Sequence, residues 1–185
     1  STPAWLIGEC WSDLYYRHKT GAGDELFWDQ AGTCNQNLDG KGLKEILQAV
    51  EALDLDPQGD NTFAYDSIVV VSFLNCMFEP NTQVWRYRGR PYEEYEELVM
   101  KLAQALKARC RRPFVVLGGS SRSWACEPAF DEVVDSGLRC LRSWGIPCCS
   151  GDKFIEDVDF KTYMHMPNSP ENMLAVRSFV EEIIQ

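Results

Sequence analysis

Histidine is scarce in this sequence, with two among 185 residues, and the eight cysteines include no C-x-x-C pair. A zinc site built from clustered thiolates and imidazoles is therefore poorly supplied. Long apolar runs are missing too: no stretch approaches the ~20 residues that a membrane-spanning helix requires. Positive charge is in deficit, with 18 Lys and Arg against 28 Asp and Glu and a formal net charge of −10. That balance argues against nucleic acid as a partner, since polyanion binders present a basic face. There is no internal repeat, no low-complexity tract and no Pro/Gly-rich linker. The chain opens on Ser1 without a secretory-signal pattern. A larger parent protein and a reducing compartment, cytoplasmic or otherwise intracellular, are expected.

Hydrophobic residues make up 45% and aromatics 12% of the chain, enough to build a globular core. The length fits one domain spanning residues 1–185. An even cysteine count is compatible with four disulfides. Cys110, Cys140 and Cys148, however, fall in apolar or helical contexts, where a free thiol behaves as a small core residue.

Periodicity divides the chain into alternating strands and helices. Ala4–Gly8 and Glu25–Trp28 read as short strands. Residues 43, 46, 47, 50 and 53 carry the 3–4 apolar rhythm of a helix over Gly42–Leu53. Asp66–Phe73 holds a continuous β-branched run, the pattern of a strand buried on both faces. A long helix is expected over Tyr92–Arg111, a strand over Phe114–Gly118, a helix over Phe130–Ser143 and a last short strand over Ile146–Cys149. Pro170 is placed to open a final helix through Ile184, with Ser169 as its N-cap. This alternation implies an α/β fold: a three-layer, doubly wound, flavodoxin-like domain of about five parallel strands. Ligands of such sheets bind beyond the carboxyl ends of the strands, so the residues just after each strand carry the functional information.

The first strand is followed by Gly8-Glu9-Cys10-Trp11-Ser12. A thiol at a strand-to-helix turn projects from the sheet, and the free N–H groups of a helix start favour a thiolate there. The buried third strand runs Val70-Val71-Ser72-Phe73-Leu74-Asn75. Gly118-Gly119-Ser120-Ser121 follows the fourth; it suits a strand exit, and less well a phosphate cradle. Gly40-Lys41-Gly42-Leu43-Lys44-Glu45-Ile46-Leu47 leads into the first helix, and Met164-His165-Met166-Pro167 precedes the last.

This order of blocks resembles the SGNH (GDSL-type) hydrolase family, whose motifs carry nucleophile, glycine, asparagine and histidine in that sequence. Gly8–Ser12 is similar to the family's Gly-Asp-Ser-x-Ser/Thr block, with Glu9 for Asp and Cys10 for the nucleophilic Ser. Gly40 matches the glycine block, with Gly42 and Gly32 as alternatives, and Asn75 matches the end of the Gly-x-Asn block, with Phe73 where the glycine stands. His165 matches the histidine of the Asp-x-x-His block, although the position of its acid holds Thr162. Asp159, or Asp157, is the candidate to orient His165 in its place. The resemblance implies an acyl hydrolase or acyltransferase acting on a small ester or thioester. Cys10 would be its nucleophile and His165 its general base, and the N–H groups of Cys10 and Gly40 with the Asn75 amide would serve as oxyanion donors. It implies no metal and no organic cofactor.

Trp85-Arg86-Tyr87-Arg88-Gly89-Arg90-Pro91 interleaves aromatics with arginines, a composition suited to stacking and anion contact. Following Asn75, it is a candidate lid through Trp85, Arg86, Tyr87 and Arg88. Cys148-Cys149 fits a strand end better than a vicinal disulfide or a metal site. The departures at Cys10, Phe73 and Thr162 leave a second reading open: a catalytically silent module of the same fold that binds a ligand or a protein. An unrelated flavodoxin-like binding domain is the third.

Overall fold

The computed structural model describes residues 4–8, 26–28, 34–37, 42–53, 65–72, 93–118 and 130–151, together with the single positions Leu174, Ser178 and Glu182. These form strands β1 (Ala4–Gly8), β2 (Leu26–Trp28), β3 (Cys34–Asn37), β4 (Tyr65–Ser72), β5 (Cys110–Leu117) and β6 (Cys148–Ser150). Helix α1 spans Leu43–Glu51, α2 spans Glu93–Arg109 and α3 spans Phe130–Ser143. The strands make one sheet in the order β2-β3-β1-β4-β5-β6. All neighbouring pairs are parallel except β2 with β3, which are antiparallel. The α/β class expected from the alternation is thus the class observed.

β4 shows why a continuous apolar run belongs at the centre of such a sheet. Ile68 and Val70 are fully buried in one cluster with Val115 and Leu117 of β5 and the apolar stripes of all three helices. Val69, Val71 and Val116 alternate to the opposite face, and they are buried as well. Both faces of the central strands are therefore shielded from water.

The helices dock through predicted stripes. Leu43, Ile46, Leu47 and Val50 of α1 are buried and Leu53 packs beside them. From α3, Val133, Val134, Leu138 and Leu141 face the same cluster. α2 lies between the two, with Tyr95, Val99, Leu102 and Leu106 fully buried. Its ring of Tyr95 covers Gly137 of α3 so closely that a Cβ there would stand 2.8 Å from Tyr95 Cε1. Glycine at 137 is what lets the two helices meet. α3 ends in a Schellman turn: Gly145 has φ +73°, its N–H bonds Arg142 O, and Ile146 N–H reaches Leu141 O.

Most element ends fall within one or two residues of the sequence reading; the larger differences are a strand it passed over and the junction between α2 and β5. β3 was not among the expected strands, because Cys34-Asn35-Gln36-Asn37 has neither an apolar run nor an alternating pattern. Helix α2 ends at Arg109 rather than Arg111, and β5 begins at Cys110 rather than Phe114. The Arg109 guanidinium turns back to bond Leu53 O at 3.2 Å, Glu51 O at 2.9 Å and Ala105 O at 3.1 Å, fastening the end of α2 to the end of α1. Cys110 then pairs with Tyr65, and Arg112 binds Asp66 of β4. Pro113 favours an extended Arg112. It is accommodated because β6 pairs only with Val115–Leu117, leaving Pro113 a strand neighbour on one side among the described residues. The expected terminal helix is represented by Leu174, Ser178 and Glu182, all helical and exposed, at the four-residue spacing of one helix face.

Candidate functional site

The carboxyl edge of the sheet is nearly level. Gly8 at the end of β1 stands opposite Asn37, the last residue of β3, and opposite Val71 of β4. Ser72 ends β4 opposite Leu117, which ends β5 opposite Ser150 of β6. Five parallel strands therefore release their chains along one rim. Adjacent strands lie about 4.8 Å apart, so the exits of β3, β1 and β4 fall within roughly 10 Å of one another.

Cys10 follows Gly8 by two residues, Gly40 follows Asn37 by three and Asn75 follows Ser72 by three. Two to three residues of extended chain reach about 7–11 Å. Cys10, Gly40 and Asn75 themselves lie outside the described residues, as do His165, Asp159, Asp157 and the segment Trp85, Arg86, Tyr87 and Arg88. What the structure supplies is the geometry of the strands that deliver the first three. β1, the strand leading to Cys10, lies between the strands leading to Gly40 and to Asn75.

Two neighbouring groups have their hydrogen bonds committed elsewhere. The N–H of Gly42, the N-cap of α1, donates to Glu45 Oε2 at 3.0 Å. That bond is the return half of a capping box, and it leaves Gly42 unsuited to hold an oxyanion. Gly40 is accordingly the better candidate of the two. Gly118 continues the ladder past β5, its N–H donating to Ser72 O at 2.8 Å. With φ +72° it turns the chain off the sheet, and an added Cβ would stand 2.5 Å from Val134 Cγ2. The Gly118 N–H is thus part of a strand exit and not a free donor for a phosphate; Gly119, Ser120 and Ser121 lie outside the described residues.

Three of the described thiols, Cys110, Cys140 and Cys148, are free and are held in the protonated form. Burial pushes the Cys110 thiol up from 9.0 to about 12, against smaller opposing effects of the Ile68 and Arg112 backbone. Burial, then the nearby Glu96 carboxylate, raises Cys140. Cys148 is raised by burial, with Arg142 offsetting part of the effect. A thiol held above its ordinary value is a poor nucleophile near neutral pH. Among the described residues no cluster of three or more His, Cys, Asp or Glu side chains is placed to hold a metal ion. No helix among them is long and apolar enough to cross a membrane.

β3 is the rim element that sequence reasoning passed over. Its only signal was indirect: a glycine-bearing turn, Gly40-Lys41-Gly42, leading into a strongly periodic helix, which in an α/β chain wants a strand before it.

No protein-family model matches the sequence, and no curated protein sequence matches it. Solved structures do match its fold. A variant of an acetyl xylan esterase from Geobacillus stearothermophilus superposes with a TM-score of 0.63 at 12% identity, covering 99% of this chain and 94% of that one. A GDSL-like lipase from Bacteroides thetaiotaomicron gives 0.62 at 10% identity, with 99% and 87% covered. An α/β hydrolase enzyme from the metagenome of Lake Arreo, Spain, gives 0.63 at 11% identity, with 100% and 97% covered. The fold of this chain is the fold of these esterases and lipases. At such identities the likeness is one of fold alone.

Proposed function

We propose that the chain is a single, doubly wound SGNH-like domain that hydrolyses or transfers an acyl group from a small ester or thioester. The observation that carries this reading is the strand order at the carboxyl rim. The strand leading to Cys10 is flanked by those leading to Gly40 and Asn75, a strand order that supports assigning these residues to one site.

In this mechanism His165 takes the proton from Cys10 Sγ, and the thiolate attacks the acyl carbonyl. The negative charge that develops on the carbonyl oxygen is held by the N–H groups of Cys10 and Gly40 and by the Asn75 side-chain amide. The alcohol or thiol departs with the proton that His165 carries, leaving an acyl group on Cys10 as a thioester. Water, deprotonated by His165, then attacks that thioester. The acid is released and the proton returns to Cys10; an acceptor alcohol in place of water gives acyl transfer instead. Asp159 would orient His165. A thiol needs that orientation less than a hydroxyl does, because it is intrinsically more acidic. Esterase and lipase neighbours of the same fold support a small ester as substrate.

Hydrolysis of 4-nitrophenyl acetate tests the proposal. Turnover is expected for the unaltered chain, its loss in Cys10→Ala and His165→Ala, and a fall of about 10²-fold in kcat for Asn75→Ala, the usual cost of one oxyanion donor. Iodoacetamide near neutral pH should label Cys10 well before Cys140 or Cys148. A folded chain with no turnover and a slow Cys10 would overturn the enzyme and leave the silent binding module.

A further inference from the structure

We propose that the outer face of α3 is a self-association surface, on which a second copy of this chain docks its own α3 antiparallel about a two-fold axis. The inference is independent of the hydrolase reading, since it uses none of the residues at the carboxyl rim.

The charges of α3 separate by sign along the helix. Asp131, Glu132 and Asp135 occupy its first half, and Arg139 and Arg142 its second. Glu132, Asp135, Arg139 and Arg142 are all exposed, whereas Val133, Val134, Gly137, Leu138 and Leu141 are buried. Their spacing of three, four and three residues sets the four on one face of the helix, turned away from the core. The spacing is symmetric about position 137, and the sign inverts there. Two such helices packed antiparallel about a two-fold axis at that level bring Asp135 opposite the second copy's Arg139 and Glu132 opposite its Arg142, with the converse pairs on the other side of the axis. Each of these pairs joins opposite charges, the self-complementarity that an isologous contact requires. A parallel arrangement in register would oppose like charges instead.

Within one chain the central charges are not used. Asp135 and Arg139 stand four residues apart in the order that favours an intrahelical ion pair, yet they form none among the described residues. Glu97 and Lys101 of α2, at the same spacing and in the same order, do pair at 3.0 Å. Charge in the terminal turns of a helix, such as Arg142, complements the macrodipole, but that effect fades within one turn, and Asp135 and Arg139 lie in the interior of α3. Arg142 also contacts Cys148 and keeps its charge. The α2 side of α3 is taken, with Ser136 bonding Glu96 there, while the charged face is left to solvent. Repulsion between two chains of net charge −10 reaches further than these contact pairs, and 0.1 M salt screens it beyond about 10 Å. A contact confined to one 14-residue helix, ~21 Å long, buries less than the ~1,200 Å² of stable interfaces, so the expected dimer is weak and concentration-dependent.

Sedimentation equilibrium of the full chain in 0.1 M NaCl, from 10 to 500 μM, tests this. The weight-average mass should rise with concentration from that of one chain towards that of two. Asp135→Lys and Arg139→Glu, each alone, oppose like charges across the axis and should lower the association constant tenfold or more. An equimolar mixture of these two variants restores opposite charges at both central pairs, and it should associate at least as tightly as the unaltered chain. The double variant Asp135→Lys/Arg139→Glu restores them within one chain and should dimerise like the unaltered protein. Far-UV circular dichroism checks that each variant is folded, and if one single variant is not, the other and the double variant decide. The mass of one chain at every concentration would refute the proposal. So would association that the single reversals leave unchanged, or that neither the mixture nor the double variant restores, because the contact would then lie elsewhere on the molecule.

Discussion

Cys110 shows how far one side chain's surroundings set its chemistry. It is 2% exposed at the start of β5, and its thiol is pushed from 9.0 to about 12 because burial penalises the thiolate. In the unfolded chain the same thiol ionises near its ordinary value. The fold therefore favours the protonated form: its stabilising effect is complete below pH 9 and is lost as pH rises from there towards 12. The limiting slope is about 1.4 kcal/mol per pH unit for one proton. Cys110→Ala should be less stable than the unaltered chain at pH 7, yet lose less stability between pH 9 and 11, as urea unfolding at each pH would measure. Parallel curves for the two proteins would refute the assignment. Gly118 is a second residue fixed by its surroundings, since its positive φ and the closeness of Val134 together leave no room for a side chain.

At the scale of elements, cations from α2 tie down the ends of both neighbouring helices. Arg109 bonds the carbonyls of Glu51 and Leu53 at the end of α1, and Lys107 Nζ bonds Trp144 O at 2.9 Å just past α3. The last carbonyls of a helix have no partner within it, and cations complement its negative end. Arg109→Met keeps much of the apolar stem and removes the bridging donors. It should cost about 1–3 kcal/mol in denaturant unfolding, the range for hydrogen bonds to a charged group. Lys107→Met, at a more exposed bond, should cost less. The end of α2 also marks the limit of local reading: the apolar rhythm of the helix was legible, but its stop was not. That stop depends on Arg109 reaching carbonyls more than 50 residues away and on Cys110 pairing with β4.

Across the whole molecule, protection from water is greatest where both faces of the sheet are covered. Ser67–Ser72 of β4 and Val115–Leu117 of β5 are buried throughout, whereas β6 is only half-buried and lies at the edge. Native-state hydrogen exchange should therefore be slowest in the amides of β4 and β5, approaching the global unfolding limit, and faster in β6. Exchange in β4 no slower than in β6 would contradict this picture.

The sequence by itself determined the α/β class, the central strand and the packed faces of the helices, because β-branched runs and 3–4 periodicity are written locally and burial rewards them directly. It also named Cys10, Gly40, Asn75 and His165, by block order and residue type. Only the tertiary structure decided that Cys34–Asn37 is a strand, since four polar-leaning residues gain that conformation solely from pairing beside β1. It alone placed the strand leading to Cys10 between those leading to Gly40 and Asn75. Strand order is a property of long-range hydrogen bonding and shared core, and no local pattern along the chain encodes which exits become neighbours.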